Sequence, residues 1–145
     1  MTTVNTYLTF NRNCEKAFNF YKSVFGGEFA SISKFKDMPD NPEHPVAEAY
    51  KEKIMHVSLP IGNTVLMGSD TSGEWATKFK QGNNFSVSVN TDSKEEANRI
   101  FNELSKGGEI MMPMEKTFWD AYFGMFTDKF GIQWMVSFDI AANKK

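Results

Sequence analysis

The chain has 145 residues, a formal net charge of -2 and one cysteine, Cys14. This length suits one domain, residues 1–145, with a sizeable core. The weak acidity excludes a broad basic surface for nucleic acid, and a lone cysteine excludes an internal disulfide. The chain has neither an apolar run that could span a bilayer nor a signal-peptide pattern at its start. We therefore expect a cytoplasmic protein with no nucleic-acid or membrane partner.

The first elements in chain order are a strand, a helix and a second strand. Apolar and polar residues alternate over residues 4–10, which predicts a strand. Asn11 or Asn13 can cap the helix predicted over Cys14–Phe25, and the glycine pair after it ends that helix. Alternation resumes over residues 29–35 as a strand, and a hairpin follows with strands at 54–59 and 64–69.

The second half of the chain repeats the first. NTYLTFNRNCEKAFNFYKSVFGGEF starts at Asn5, and NFSVSVNTDSKEEANRIFNELSKGGEI starts at Asn84. The offset is 79 residues at these asparagines and 81 at Gly26 and Gly107. Repetition at a fixed period indicates a fold of equivalent units. The second unit is predicted to have a helix at 94–106 and strands at 84–90, 109–112, 118–127 and 132–138.

The chain therefore contains two strand-helix-strand-strand-strand modules, about residues 1–70 and 84–139. Two polar connections, 36–53 and 70–83, are long for a compact domain. Each could be a lid or a surface excursion, and the sequence leaves both readings open.

Strand alternation sends side chains to two faces of different chemistry. One face is almost wholly apolar and should pack under the helices: Thr6, Leu8, Phe10, Leu66, Phe85, Val87, Val89, Trp134, Val136 and Phe138. The other face mixes hydroxyls, amides, methionines and a histidine, which suits a cavity for a modest organic ligand. A wet internal core is the alternative. The candidate ligand-binding residues on this face are Tyr7, Thr9, His56, Ser58, Met67, Ser86, Ser88 and Met135, with Trp75, Trp119 and Tyr122 as possible stacking surfaces.

The paired modules, the helix NCEKAFNFYKSVFGGEF, the hairpin IMHVSLPIGNTVLMGSD and the ending DKFGIQWMV resemble the vicinal oxygen chelate superfamily. The superfamily includes glyoxalase I, extradiol dioxygenases and bleomycin-resistance proteins, and the most similar subgroup is the PhnB-like proteins. The resemblance implies an α+β fold in which two βαβββ modules form an incomplete barrel around a cavity. It also implies a homodimer.

Metal-using members of that superfamily take His, Gln or Glu ligands from the first and last strands of each module. The matching positions in this sequence are Asn5, Met67, Asn84 and Met135. Amide oxygens bind transition metals weakly, and thioethers favour soft ions such as Cu(I). A shift of the alignment by two residues would give Tyr7, Ser69, Ser86 or Ser137, which are no better. We therefore expect no metal and no other cofactor.

Few residues in the sequence could support a catalytic activity instead of ligand binding. His56 is the candidate catalytic acid or base, although a structural histidine is the commoner case. Cys14 begins a helix, where the dipole can lower a thiol pKa, but a buried inert thiol is the commoner case. The methyltransferase label sometimes given to PhnB-like proteins needs a glycine-rich turn between a strand and a helix, and the chain has none.

The sequence thus favours a protein that binds a small uncharged organic molecule in its cavity without a metal. The alternative is a metal-dependent lyase, isomerase or dioxygenase-type enzyme of the same superfamily. The residues leave open which ligand binds and whether any catalysis occurs.

Overall fold

The computed structural model describes residues 1–141, so residues 142–145 of the predicted domain lie outside the described part. The chain divides into two compact units, Met1–Lys80 and the residues from Gln81 onward. Each unit contains one four-stranded sheet and one long helix. The predicted order of strand, helix and three strands is confirmed in both units.

The first unit has a mixed sheet with the strand order β1-β4-β3-β2. Strand β1 pairs with β4 in parallel, and the other two pairs are antiparallel. Two short 3-10 turns and a short helix lie in the connections that we expected to be irregular. The elements are β1 (Thr6–Phe10), α1 (Cys14–Phe25), β2 (Ser31–Lys34), the 3-10 turns Phe35–Asp37 and Glu48–Tyr50, β3 (Ile54–Ile61), β4 (Thr64–Asp70) and α2 (Glu74–Lys78).

The second unit repeats this arrangement with the strand order β5-β8-β7-β6. Here β5 and β8 are parallel and the other pairs are antiparallel. The elements are β5 (Val87–Thr91), α3 (Lys94–Leu104), β6 (Glu109–Lys116), β7 (Ala121–Thr127) and β8 (Gln133–Asp139). Strand β6 is longer than expected, while β5 and β7 each begin three residues late.

Each long helix packs closely on its sheet at a glycine. On β4, a Cβ built at Gly68 would lie 2.6 Å from Phe18 Cε1 of α1 and 2.9 Å from the Leu8 carbonyl oxygen. On β7, a Cβ at Gly124 would lie 2.8 Å from Phe101 Cε2 of α3. Contacts shorter than van der Waals distance are costly, so each unit uses one glycine to let its helix approach the sheet.

The expected faces are confirmed for most of the apolar set. Leu8, Phe10, Leu66, Trp134 and Val136 are all buried, with Trp134 only 1% exposed. They form the helix-covered face of each sheet, and the opposite surface is called the open face below.

Phe85 was wrongly placed in this apolar set. It precedes β5 and is 60% exposed, because the chain enters the strand only at Val87. The strand begins late, so alternation read from Asn84 started before the ladder did.

The strand register also corrects the repeat. Met67 lies opposite Tyr7 across the β1–β4 pair, and Met135 lies opposite Ser88 across β5–β8. If Met67 and Met135 are matched, Tyr7 matches Ser88, an offset of 81 residues that equals the offset of the glycine pairs. The offset of 79 at Asn5 and Asn84 is therefore wrong, and Asn5 matches Ser86.

The helix α1 is capped from a distance. Asn13 occupies the N-cap position, as expected, but its side chain makes no capping hydrogen bond. The N–H of Cys14 instead donates to Asp70 Oδ1 at 2.9 Å, and the N–H of Ile54 donates to Asp70 Oδ2 at 2.9 Å. One buried carboxylate thus joins the start of the helix, 56 positions before it in the chain, to the start of β3, 16 positions before it.

Asp128 plays a similar part in the second unit. Its Oδ1 accepts the N–H groups of Phe130 and Ile132 at 2.8 and 3.0 Å, and its Oδ2 accepts Trp134 Nε1–H at 2.8 Å. The residue is 3% exposed. The Asp-x-x-Gly turn therefore has a structural role: it leads into β8 and fixes the position of the buried Trp134 side chain.

Candidate functional site

A half-open cavity of about 480 Å³ lies within the first unit. Its volume falls in the range of about 300–1,000 Å³ that is usual for sites that hold small molecules. Aromatic and thioether side chains supply apolar surface, and hydroxyls and one ammonium supply polar groups. The lining residues are Thr9, Phe35, Met55, Ser69, Asp70, Thr71, Ser72, Trp75, Lys78 and Phe79.

The cavity is built at the ends of the two parallel strands. Thr9 lies opposite Ser69 in the β1–β4 register, so both side chains reach the same open face. The chain then leaves β4, and the N–H of Thr71 donates to the carbonyl of Phe10 at 2.8 Å. Gly73, with φ of +57°, allows the turn into α2, which brings Trp75 to the cavity. The 70–83 connection therefore supplies cavity residues.

Asp70 lines the cavity, but its carboxylate is engaged elsewhere. Both oxygens accept backbone N–H groups, from Cys14 and Ile54, and the residue is 5% exposed. Such a carboxylate holds the fold together and has little capacity left for an acid–base role.

Cys14 is an inert thiol rather than a nucleophile. Burial, together with the nearby Asp70 and Glu15 carboxylates, raises the pKa of the Cys14 thiol well above its ordinary value. These effects outweigh any lowering by the helix dipole, because the side chain is fully buried.

Several expected ligand-binding residues share the open face of the first sheet. Tyr7, Met67 and Ser58 form a row across β1, β4 and β3. The Tyr7 and His56 rings lie 6.0 Å apart and are tilted by 32°. Within residues 1–141, the His56 ring has neither a hydrogen-bond nor an ion-pair partner that would orient it for proton transfer. A catalytic role for His56 therefore remains a hypothesis.

The second sheet carries an equivalent row on its open face. Ser88, Met135, Met125 and Met112 lie opposite one another across the four strands. In the edge strand β6, Glu115 lies opposite Phe123 on the open face. This acidic residue was not considered in the sequence analysis, because the strand predicted there ended at residue 112.

The two aromatic candidates near the start of β7, Trp119 and Tyr122, lie on opposite faces of the sheet. Trp119 lies in the turn before β7, with its ring 6.1 Å from that of Phe123 on the open face. Tyr122 lies on the opposite side, because its hydroxyl donates to Asn98 Oδ1 of α3 at 2.7 Å. Tyr122 is therefore on the helix-covered face, and it was expected at the cavity because the parity of this strand could not be read from its pattern.

Of the eleven candidate ligand-binding and stacking residues, Thr9 and Trp75 line the cavity described above. Tyr7, His56, Ser58 and Met67 lie on the same sheet face, while Ser88 and Met135 lie on the second sheet. Ser86 precedes β5 and is half-buried. Sequence reasoning named Trp75 as a stacking surface but missed the others. Four of the missed residues lie with Trp75 in the 70–83 connection: Thr71, Ser72, Lys78 and Phe79. The unusual length of this connection was the one sequence feature that could have indicated them.

The donor set does not suit a divalent metal. On the first and last strands of the two units, Tyr7 lies opposite Met67 and Ser88 lies opposite Met135, and these side chains offer a phenol, a hydroxyl and two thioethers. No group of three His, Cys, Asp or Glu side chains within residues 1–141 is placed to hold a metal ion. Zinc, iron and manganese sites are built from imidazole, thiolate or carboxylate ligands, and these four side chains supply none of the three.

Two βαβββ units with this strand order and a covering helix on each sheet define the α+β fold of the vicinal oxygen chelate, or glyoxalase-like, superfamily. A glyoxalase/bleomycin resistance protein/dioxygenase family enzyme from Burkholderia phytofirmans PsJN shares this fold, with a TM-score of 0.60 and 14% identity over 94% of this chain and 99% of that one. The chain belongs to the family described as 3-demethylubiquinone-9 3-methyltransferase, whose model matches residues 2–137.

Three relatives cover nearly the whole chain. Protein PA1353 from Pseudomonas aeruginosa is 40% identical, with a TM-score of 0.82 over 96% of this chain and 98% of that one. The PhnB protein from Bacillus cereus is 25% identical, with a TM-score of 0.72 over 94% and 99%. Protein YjdN from Escherichia coli K12 is 30% identical over 140 residues, 92% of this chain and 93% of its own length. The predicted PhnB-like resemblance is confirmed.

The family description names a methyl transfer, which needs a methyl donor bound as a cofactor. The turns from β1 to α1 and from β5 to α3 are formed by residues 11–13 and 92–93, and neither contains glycine. These connections therefore lack the close backbone approach that such cofactors use, and no methyl-transfer step follows from the residues. Within the described residues, no helix is both long enough and apolar enough to cross a membrane.

Proposed function

We propose that the protein binds a small organic molecule of low charge in the cavity of its first unit, without the help of a metal ion. The observation that carries this proposal is the cavity itself, which combines an appropriate volume with an aromatic wall and a few hydroxyls. The sequence predicted an uncharged ligand because the candidate residues on the strand faces carry no charge. Lys78, on α2, adds one positive charge to the cavity lining.

The low charge of the ligand follows from the lining. A nucleotide or polyphosphate would bring several negative charges to a site with one ammonium group and the Asp70 carboxylate. Leaving charges without partners in a partly desolvated pocket is costly. A molecule with an apolar body and few polar groups matches the mixed surface better.

A thermal-shift screen tests this function. Uncharged aromatic compounds, their monocarboxylates and phosphorylated metabolites are compared as separate sets, and members of the first two sets should raise Tm. Ser69→Leu, which fills the cavity, should abolish the shift. Ser137→Leu is the matched control, because it makes the same change at the equivalent position of the second unit, outside the cavity. Stabilisation by the phosphorylated set alone, unaffected by Ser69→Leu, would refute the proposal.

The absence of a metal is a separate part of the proposal. Its support is the donor set Tyr7, Met67, Ser88 and Met135, which lacks imidazole and carboxylate. Elemental analysis of the dialysed protein should find less than a stoichiometric amount of zinc, nickel, manganese or iron. One such ion per chain would favour the alternative, a metal-dependent lyase, isomerase or dioxygenase-type enzyme.

We also propose that the protein is a homodimer. The second unit exposes several large apolar side chains along β6 and the turn that follows it, and such patches mark interaction surfaces. Sedimentation equilibrium should give twice the chain mass, and Phe118→Asp should shift the protein toward monomer. A monomer at all accessible concentrations would exclude the assembly. The exposed residues are Ile110, Met111, Phe118 and Trp119.

A further inference from the structure

Trp75 and Lys78 are cavity residues that the fold itself does not require. Trp75 is 71% exposed, although an indole of this size is usually largely buried in a folded protein. Both residues lie on α2, three positions apart, so they project from the same side of that helix. Neither contributes to the buried core of the unit.

The ammonium of Lys78 is available to a ligand. It lies 5.7 Å from the centroid of the Trp75 ring, within the range of a cation–π contact. Within residues 1–141 it has no carboxylate partner, even though Glu74 lies one helical turn away. Asp70 also lines the cavity, but both oxygens of its carboxylate accept the N–H groups of Cys14 and Ile54.

We propose that the ligand is a small aromatic monocarboxylate, whose ring packs on Trp75 and whose carboxylate pairs with Lys78. This inference rests on the proposed binding function and names the class of ligand. Met55 and Phe79 offer further apolar surface to the ring, and Ser72 offers a hydroxyl to the acid group. A charge-assisted hydrogen bond fixes the orientation of such a ligand in the cavity.

A monocarboxylate fits better than a phosphate ester. A phosphate dianion needs several cationic or N–H donors, and the lining provides one lysine. The buried Asp70 carboxylate would repel a dianion more strongly than a monoanion. A neutral aromatic molecule would use the ring surface but would leave the Lys78 ammonium without a partner.

Matched acid and amide pairs isolate the contribution of the charge. Benzoate with benzamide, 2-naphthoate with 2-naphthamide and indole-3-acetate with indole-3-acetamide keep the ring constant within each pair. Isothermal titration calorimetry at neutral pH gives Kd for each compound. At least one acid should bind about fivefold or more tightly than its amide, which is the scale of a partly exposed ion pair, and added salt should reduce the difference.

Three variants test the proposed contacts of the ligand with Lys78 and with Trp75. Lys78→Gln should remove the preference for the acid while leaving binding of the amide intact. Lys80→Gln is the matched control, since it removes the same charge from the same segment at a residue outside the cavity lining, and it should keep the preference. Trp75→Leu should weaken the acid and its amide alike.

The results that would overturn the inference show whether the role of the lysine, the ligand class or the binding function itself is wrong. Equal affinity for acid and amide, or a preference that survives Lys78→Gln, refutes the role of the lysine while small-molecule binding stands. If no pair binds but another uncharged aromatic compound raises Tm in the thermal-shift screen, the ligand class is wrong and the function stands. If neither experiment finds a ligand, both proposals fail.

Discussion

Removal of the Asp128 carboxylate should strongly destabilise the protein. In Asp128→Ala, the N–H of Ile132 and Nε1–H of Trp134 lose their acceptor in a buried environment. The N–H of Phe130 also loses its acceptor, but it is partly buried and water can replace part of that bond. Each buried donor left without a partner costs roughly 1–3 kcal/mol, so the two buried donors predict a loss of about 4 kcal/mol.

Urea unfolding followed by circular dichroism measures this loss, and an unchanged m-value would show that the two end states are comparable. Asp128→Asn should cost less, about 1–3 kcal/mol, because its amide oxygen can still accept two N–H groups while its NH₂ opposes the indole N–H. Asp92→Ala, an exposed position in the same unit, is the control and should change stability by less than ~0.5 kcal/mol.

A double-mutant cycle with Trp134→Phe tests the indole contact directly, since phenylalanine keeps an aromatic ring but lacks the N–H. The coupling energy between Asp128→Ala and Trp134→Phe should be about 1–2 kcal/mol. If Asp128→Ala costs less than ~1 kcal/mol, or if the coupling is near zero, the carboxylate is not the organising acceptor of the turn.

Three further changes test the packing and the buried thiol. Trp134→Ala should cost ~3–5 kcal/mol in urea unfolding, and a loss below ~1 kcal/mol would reverse the assignment of strand faces. Gly68→Ala should cost ~1–3 kcal/mol, since the new Cβ meets Phe18 and the Leu8 carbonyl. Gly82→Ala should be near neutral, because its Cβ would make only an ordinary contact, 3.7 Å from Asn84 Oδ1. The Cys14 thiol should resist Ellman's reagent in the native protein and react in urea. Because folding raises its pKa, its contribution to stability should be full below pH 9.0 and decline at higher pH, and stability that rises there would contradict this.

Sequence patterns alone predicted the strand-helix-strand-strand-strand order, the bounds Cys14–Phe25 of the first helix and the core position of Trp134. These are local or periodic properties, since alternation and helical spacing arise from the geometry of each element. The repeat was also visible, but its offset at the first strand was wrong. Cross-strand register depends on which residues pair, and no single segment contains that information.

The cavity, by contrast, depended on the tertiary structure. Asp70 caps a helix that begins 56 residues earlier, and Lys78 reaches the cavity because α2 folds beside the strand ends. Tyr122 turned out to face α3, since it lies on the same side of β7 as Phe126, and the sequence pattern of this strand did not show which side that was. Such contacts join residues that are distant in sequence, and their formation is decided by packing, so local patterns do not record them.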